Sequence, residues 1–231
     1  MIKRNPKTHQ SNLQDAIKAT AWQQIAEYGA PALSLRAIAR ELNITAPAIY
    51  NYFADRDALV TALVIDAYTS FGDSQLASLE TVAVDDHANR LKAIGLAYRA
   101  WAHRYTQRYL LIFSTPIPGY APSIDQIGPS SARSIRPLFS VVEAMRVAGR
   151  LNDAAYRPIQ PAYEAHFEQW RAYFDQVHPL THFVAMTIWS RVHGFVSLEI
   201  NGHFPPFGEN GDGLYLSEID AIQRQFLHKV S

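Results

Sequence analysis

The sequence predicts an all-α chain in two parts, an N-terminal three-helix unit (residues 1–55) and a larger C-terminal helical bundle (residues 56–231). Three observations lead there. Apolar residues recur at spacings of three and four through most of the chain, the mark of one buried helical face. Period-two alternation is nearly absent, so no sheet is expected. The first sixty residues also break into short runs, each bounded by a residue suited to starting or stopping a helix.

Leu13, Ile17, Ala21, Ile25 and Tyr28 define the first helical face, and Gly29 follows as a left-handed stop. Ala30-Pro31-Ala32 is a connector. Ser34 is placed to cap a second helix of about two turns, whose apolar positions are Leu35, Ile38, Ala39 and Leu42. Asn43 suits the left-handed turn that follows, Ile44 is its apolar plug, and Thr45 is the expected cap of a third short helix. Pro47 falls in the first turn of that helix, where no backbone N–H is lost. Ile49 and Phe53 point inward with Ile44, which leaves Ala46, Pro47, Tyr50 and Asn51 outside. Asp55 caps a longer helix carrying Leu59, Leu63, Val64, Ala67 and Phe71.

Beyond it the pattern predicts helices near 86–113, 131–149, 161–177, 180–201 and 217–229. Two Pro/Gly-rich loops separate them, Thr115 to Pro129 and Gly202 to Gly213. Loops of that length inside a compact domain are mobile or functional.

Composition excludes several classes. No cysteine is present, which removes disulfides, thiolate metal sites and cysteine nucleophiles. The first ten residues are polar, without the apolar core of a signal peptide, and no apolar run reaches the roughly 20 residues of a membrane span. A soluble cytoplasmic protein with no membrane partner is expected. Net charge is zero, but residues 1–60 hold seven basic side chains against five acidic ones. Among nine histidines, His178 and His182 have metal-compatible spacing, yet Pro179 marks a helix start between them. Glu199 and His203 are interrupted by Gly202, and neither a phosphate loop nor a Gly-x-Ser-x-Gly elbow occurs. No enzyme activity, metal or cofactor is expected.

The run from Ser34 to Leu59 is a helix, a three-residue turn and a second helix, followed by a capped long helix. That is the geometry of a DNA-binding helix-turn-helix. Over roughly residues 12–71 the chain resembles the TetR family, in which Leu-Arg-x-Ile-Ala precedes a short helix ending Tyr-x-Tyr/His-Phe. Asn43 stands where the family more often has glycine. The resemblance implies that Tyr50, Tyr52 and Arg56 meet phosphates on one side of a groove, and Ser34 and Arg36 on the other. It also implies that Ala46, Pro47, Ala48 and Asn51, preceded by Thr45, face base edges of double-stranded operator DNA. Lys3, Arg4 and Lys7 form an expected basic arm.

The C-terminal part resembles a TetR subgroup named for a Trp-His-Gly signature, matched by Trp189, His193 and Gly194, and by the stretch from Tyr98 to Tyr120. The implied roles are dimerisation and sensing of a small effector. An aromatic set of Trp101, Tyr105, Tyr109, Phe113, Phe139, Trp170, Phe174, Trp189 and His193, with Met145 and Met186, is the expected lining for an apolar or aromatic ligand. Phe167, Phe183, Ile188, Phe195 and Leu198 offer apolar faces to a second copy, and Gly194 would permit a close crossing. Two other readings stay open: a DNA-bound architectural or division-control protein with no effector, and a helical metal protein or enzyme.

Overall fold

The structure, a computed structural model, describes residues 6–114, 117–167, 177–204 and 211–228. It is all-helical. The order is α1 (Pro6–Tyr28), α2 (Leu35–Glu41), α3 (Ala46–Tyr50), α4 (Arg56–Leu79), α5 (His87–Arg104), α6 (Thr106–Phe113), α7 (Ile124–Val147), α8 (Gln160–Phe167), α9 (Pro179–Ile200) and α10 (Asp212–Phe226). Short 3₁₀ turns precede α2 and α8. Among the described residues the pairing of strand type is one isolated bridge, Leu151 with Leu227.

The chain divides into two compact units, Met1–Ala67 with Gln107–Ile127, and Tyr68–Thr106 with Gly128–Ser231. The expected division after residue 55 differs from this, because α4 is shared and α6 with its following loop joins the first unit. Arg108 of α6 lies over the Trp22 ring of α1 at 5.3 Å, and Tyr120 shares a 3.1 Å hydrogen bond with Thr61 of α4. Lys18 of α1 meets Asp66 of α4 at 2.7 Å.

The local signals of the first unit act largely as their chemistry dictates. Gly29 ends α1 at φ 81°, and Asn43 takes φ 53° in the turn after α2. Ile17, Ala21, Ile25, Ile38, Ile49, Phe53, Leu59 and Leu63 are buried. Tyr28, expected on the inner face of α1, is instead 64% exposed, since the last turn runs past the core it was meant to cover.

In the second unit three helix limits differ from expectation. The single helix near 86–113 is two, parted at Tyr105, where the Thr106 hydroxyl bonds back to the carbonyls of Ala102 and His103. The helix expected at 131–149 begins earlier, at Ile124, and contains both Pro129 and Pro137. Pro129 affects only the carbonyl four residues back, in the first turn, so the helix tolerates it. Likewise α10 starts at Asp212 rather than near 217. The helix near 161–177 is described as far as Phe167.

Candidate nucleic-acid interface and effector cavity

The first unit presents α3 from a fixed base. Ser34 Oγ accepts from the Ala37 N–H at 3.4 Å, so the serine caps α2. The Ser34 N–H in turn donates to Oε1 of the buried Gln24, tying α1 to the start of α2. Asp55 Oδ1 accepts from the Ala58 N–H at 2.7 Å and caps α4. Ile49 and Phe53 hold α3 from behind, leaving Arg36, Thr45, Pro47, Tyr50 and Asn51 exposed, with Ser34, Ala46, Ala48 and Tyr52 half-buried. A short helix anchored on one face and chemically varied on the other can enter a groove and offer side chains to bases. Lys3, Arg4 and the Lys7 side chain lie outside the described residues.

Two residues behave differently from expectation. The Thr45 side chain makes no cap hydrogen bond; its carbonyl accepts from the Ala48 N–H instead, and the side chain faces outward. Arg56 braces the head. Its Nε donates to the Leu33 carbonyl at 3.2 Å, and its Nη2 to the carbonyls of Ala30 and Pro31 at 3.2 and 3.1 Å. A guanidinium fork can satisfy three carbonyls of one connector, which an ammonium cannot match. Replacing Arg56 by alanine is therefore expected to lower stability by about 1–3 kcal/mol, with lysine failing to restore it, as read by urea denaturation. Unchanged stability would leave Arg56 as a surface cation alone.

The second unit encloses a cavity among five helices. Its walls are Phe71 and Gln75 of α4, Leu91, Ile94, Gly95 and Tyr98 of α5, Ser134, Ile135 and Leu138 of α7, Ile188, Trp189 and Val192 of α9, and Ile219 and Ile222 of α10. The cavity measures about 30 Å³ as space open to the centre of a water-sized sphere. Next to the α7 wall residue Leu138 stands a proline. Pro137 has no N–H to give the Arg133 carbonyl, and at that place α4 carries Gly72, where an added Cβ would lie 3.1 Å from that oxygen. Gln75 Nε2 donates to the adjacent Ser134 carbonyl at 2.8 Å. Across the cavity, the Tyr215 hydroxyl donates to the Gly95 carbonyl at 2.5 Å, and a Cβ on Gly95 would stand 2.5 Å from Ile219 Cδ1.

Of the expected ligand residues, Trp189 lines this cavity. It stacks on His193 at 4.8 Å and 13°, and His193 Nδ1 pairs with the Tyr98 hydroxyl at 2.8 Å. Burial holds the His193 imidazole below its ordinary pKa, favouring the neutral ring. The other described members pack against neighbours. Trp101 is buried against Phe71 with its indole N–H on Ser70 Oγ, and Tyr105 lies 5.8 Å from Trp101. Tyr109 is fully buried beside Phe113, and both belong to the first unit rather than the second. Phe139 and Phe167 pack on His182, whose Nδ1 bonds the Tyr163 hydroxyl, while Met145 is buried and Met186 half-buried. Trp170 and Phe174 lie outside the described residues. Gln75, Ser134 and Gly95 were missed because no aromatic or charged type marks them.

The expected dimer set also divides. Phe167 and Ile188 are 2% and 4% exposed within their own chain and cannot serve a partner. Phe183 and Phe195 are half-buried, Leu198 is exposed, and a Cβ on Gly194 would meet open space rather than a neighbouring helix of the same chain. On α10, Leu214 and Leu216 are exposed as well. Nearby, Arg99 joins three helices of the second unit: its Nε and Nη2 bind the Glu199 carboxylate at 2.8 and 2.6 Å, and its Nη1 binds Asp212 at 2.5 Å. His103 adds a 2.9 Å contact to Glu199.

Among the described residues no helix is long and apolar enough to cross a membrane. Residues 17–63 match the profile of bacterial regulatory proteins of the tetR family, and residues 91–222 match that of the tetracyclin repressor-like C-terminal domain. The HTH-type transcriptional regulator Rv1816 of Mycobacterium tuberculosis is 30% identical over 184 residues, 78% of this chain and 77% of that protein. The regulatory protein SCO4313 superposes with a TM-score of 0.78 at 35% identity, covering 95% of this chain and 98% of that one. A protein from Rhodococcus sp. RHA1 gives a TM-score of 0.72 at 20% identity, with coverages of 94% and 96%, a likeness of fold.

Proposed function

The chain belongs to the TetR family of bacterial transcriptional regulators, and from that premise we propose that it is a repressor that binds a palindromic operator as a dimer and leaves it when a small apolar molecule enters the second unit. Members of this family are DNA-binding regulators and not enzymes. The observation that carries the reading is the outward face of α3, where Thr45, Pro47, Tyr50 and Asn51 are exposed while Ile49 and Phe53 pin the helix from behind. Asn51 suits bidentate pairing with adenine, the small groups of Ala46, Pro47 and Ala48 suit thymine methyls, and Tyr50, Tyr52, Ser34 and Arg36 suit phosphates.

One such helix reads a short footprint, so two copies are needed, with half-sites about 34–36 Å apart or a multiple of that. The exposed Leu198, the open Gly194 and the half-buried Phe183 and Phe195 on α9, with Leu214 and Leu216 on α10, support a four-helix contact between copies. The link from effector to DNA rests on α4, which begins at the capped Asp55 and continues to Phe71 and Gln75 in the cavity wall. In the loop before α7, Tyr120 is held to α4 by its hydrogen bond with Thr61, and Thr115 and Pro116 lie outside the described residues.

Asn51→Ala is expected to relax preference at one operator position at a loss of about 1–3 kcal/mol, whereas Arg36→Ala should weaken all sequences alike and flatten the salt dependence. Operator selection followed by binding titrations at two salt concentrations measures both. Equal effects of the two changes on every sequence would remove Asn51 from the base-reading set. A second reading, a DNA-bound protein without an effector, is favoured by the small size of the cavity.

A further inference from the structure

We propose that Arg56 is a positioning residue for DNA binding: from the first turn of α4 it fixes the start of α2, and through it the Ser34 and Arg36 contacts to phosphate, without meeting the DNA itself. The proposal rests on the DNA-contacting role given above to Ser34 and Arg36. Each nitrogen of the Arg56 guanidinium already faces an acceptor. Nε donates to the Leu33 carbonyl at 3.2 Å and Nη2 to the carbonyls of Ala30 and Pro31 at 3.2 and 3.1 Å, while Nη1 lies 3.7 Å from the Asp57 carboxylate. A phosphate brought to Arg56 would have to displace these carbonyls or approach Nη1 beside a carboxylate of its own sign.

The three carbonyls belong to the connector that ends where α2 begins. Leu33 is followed directly by Ser34, whose Oγ caps α2 at the Ala37 N–H and whose own N–H is held by Gln24 of α1. Arg36, the second residue of α2, stands exposed. Ala30 and Leu33 are buried, so packing sets the depth of the connector, and one planar group bonded to three of its carbonyls sets its direction. The base of this brace is itself fixed. Asp55 caps α4 at the Ala58 N–H, Thr61 shares a hydrogen bond with Tyr120, and Asp66 is held by Lys18 of α1. A brace with a fixed base transmits position, so the start of α2 follows the start of α4.

The test is a double-mutant cycle on the full chain and its selected operator, with the salt slope measured for every variant. Arg36→Ala is expected to lower affinity about tenfold and to flatten the log–log salt slope by about 0.9 for each of two heads. Arg56→Gln should also lower affinity about tenfold, yet the double variant should bind within about threefold of the weaker single variant and keep the slope of Arg36→Ala; independent contacts would give about a hundredfold loss. Arg56→Lys should bind like Arg56→Gln, since an ammonium keeps the charge but cannot span three carbonyls. Binding is measured at a temperature where circular dichroism shows each variant fully helical, and if Arg56→Gln falls short of that, Arg56→Lys takes its place in the cycle with the same expectations. A further fall in slope when Arg56→Gln is added to Arg36→Ala would make Arg56 a phosphate contact, and wild-type affinity in a folded Arg56 variant, or losses that multiply, would leave it a structural brace alone; each overturns the proposal. If Arg36→Ala by itself changes neither affinity nor slope, the DNA-contacting role of Arg36 fails and this proposal falls with it, an outcome that the single variant separates from the others.

Discussion

Phe71→Ala is expected to lower the stability of the folded chain by about 3–5 kcal/mol, the range for removing a buried aromatic ring. Phe71 is 2% exposed, sits edge-on to Tyr98 at 4.8 Å, and packs on Trp101 at the same centroid distance. Its loss removes both contacts and joins the emptied volume to the cavity it lines. Because Gly72 of α4 already abuts the Arg133 carbonyl, the helices cannot move together to refill the space, which places the expected loss toward the upper end. Urea denaturation should show a lower midpoint with an unchanged slope. A loss below about 1 kcal/mol would mean that α4 and α7 do relax, and the rigid-wall argument would fail with it.

Arg99→Ala is expected to remove about 3 kcal/mol at neutral pH, because it strands a carboxylate rather than merely deleting a surface contact. The Arg99 and Glu199 side chains are 18% and 13% exposed, and the guanidinium supplies both hydrogen bonds across that pair. Hydrogen bonding from Arg99 holds the Glu199 carboxyl below its usual 4.5 against the opposing effect of burial, with His103 helping. A carboxyl whose folded pKa is depressed adds stability above its unfolded value, and that contribution is lost as pH falls through the folded pKa. The wild-type chain should therefore lose stability steeply below about pH 4.5, and the variant should show a shallower acid limb from a lower starting point. Parallel acid limbs in the two proteins would show that Glu199 is solvated despite its position.

What the sequence reveals and what it hides follow the range of the forces involved. The DNA-reading head was legible because each boundary depends on one or two adjacent residues: Ser34 caps, Gly29 and Asn43 accept positive φ, and Pro47 begins a helix without losing a bond. The break between α5 and α6 carries no such punctuation, since a threonine hydroxyl bonding backward reads like any helical threonine. The cavity was less legible still. It depends on which faces of five helices converge, so choosing residues by aromatic type found Trp189 and otherwise selected rings that fill the interior, such as Trp101, Tyr109 and Phe139. Gln75 and Ser134 become recognisable only once α4 and α7 are seen to meet, with Gln75 donating to the Ser134 carbonyl. The same limit explains Arg56, whose three acceptors lie more than twenty residues earlier in the chain.

The bridge between Leu151 and Leu227 has a topological consequence. The Asn152 N–H donates to the Phe226 carbonyl and the His228 N–H to the Arg150 carbonyl, each at 2.9 Å, while the Asn152 and Arg150 side chains bind the Gln225 and His228 carbonyls. These bonds buckle the end of α10 to the segment just after α7, so the stretch carrying α8, α9 and α10 is a closed loop with both ends fastened. Closing a loop of that length imposes an entropic penalty that rises only slowly with the number of residues enclosed. The end of α10 and the segment after α7 therefore stay ordered together, and loosening one exposes the backbone groups of the other.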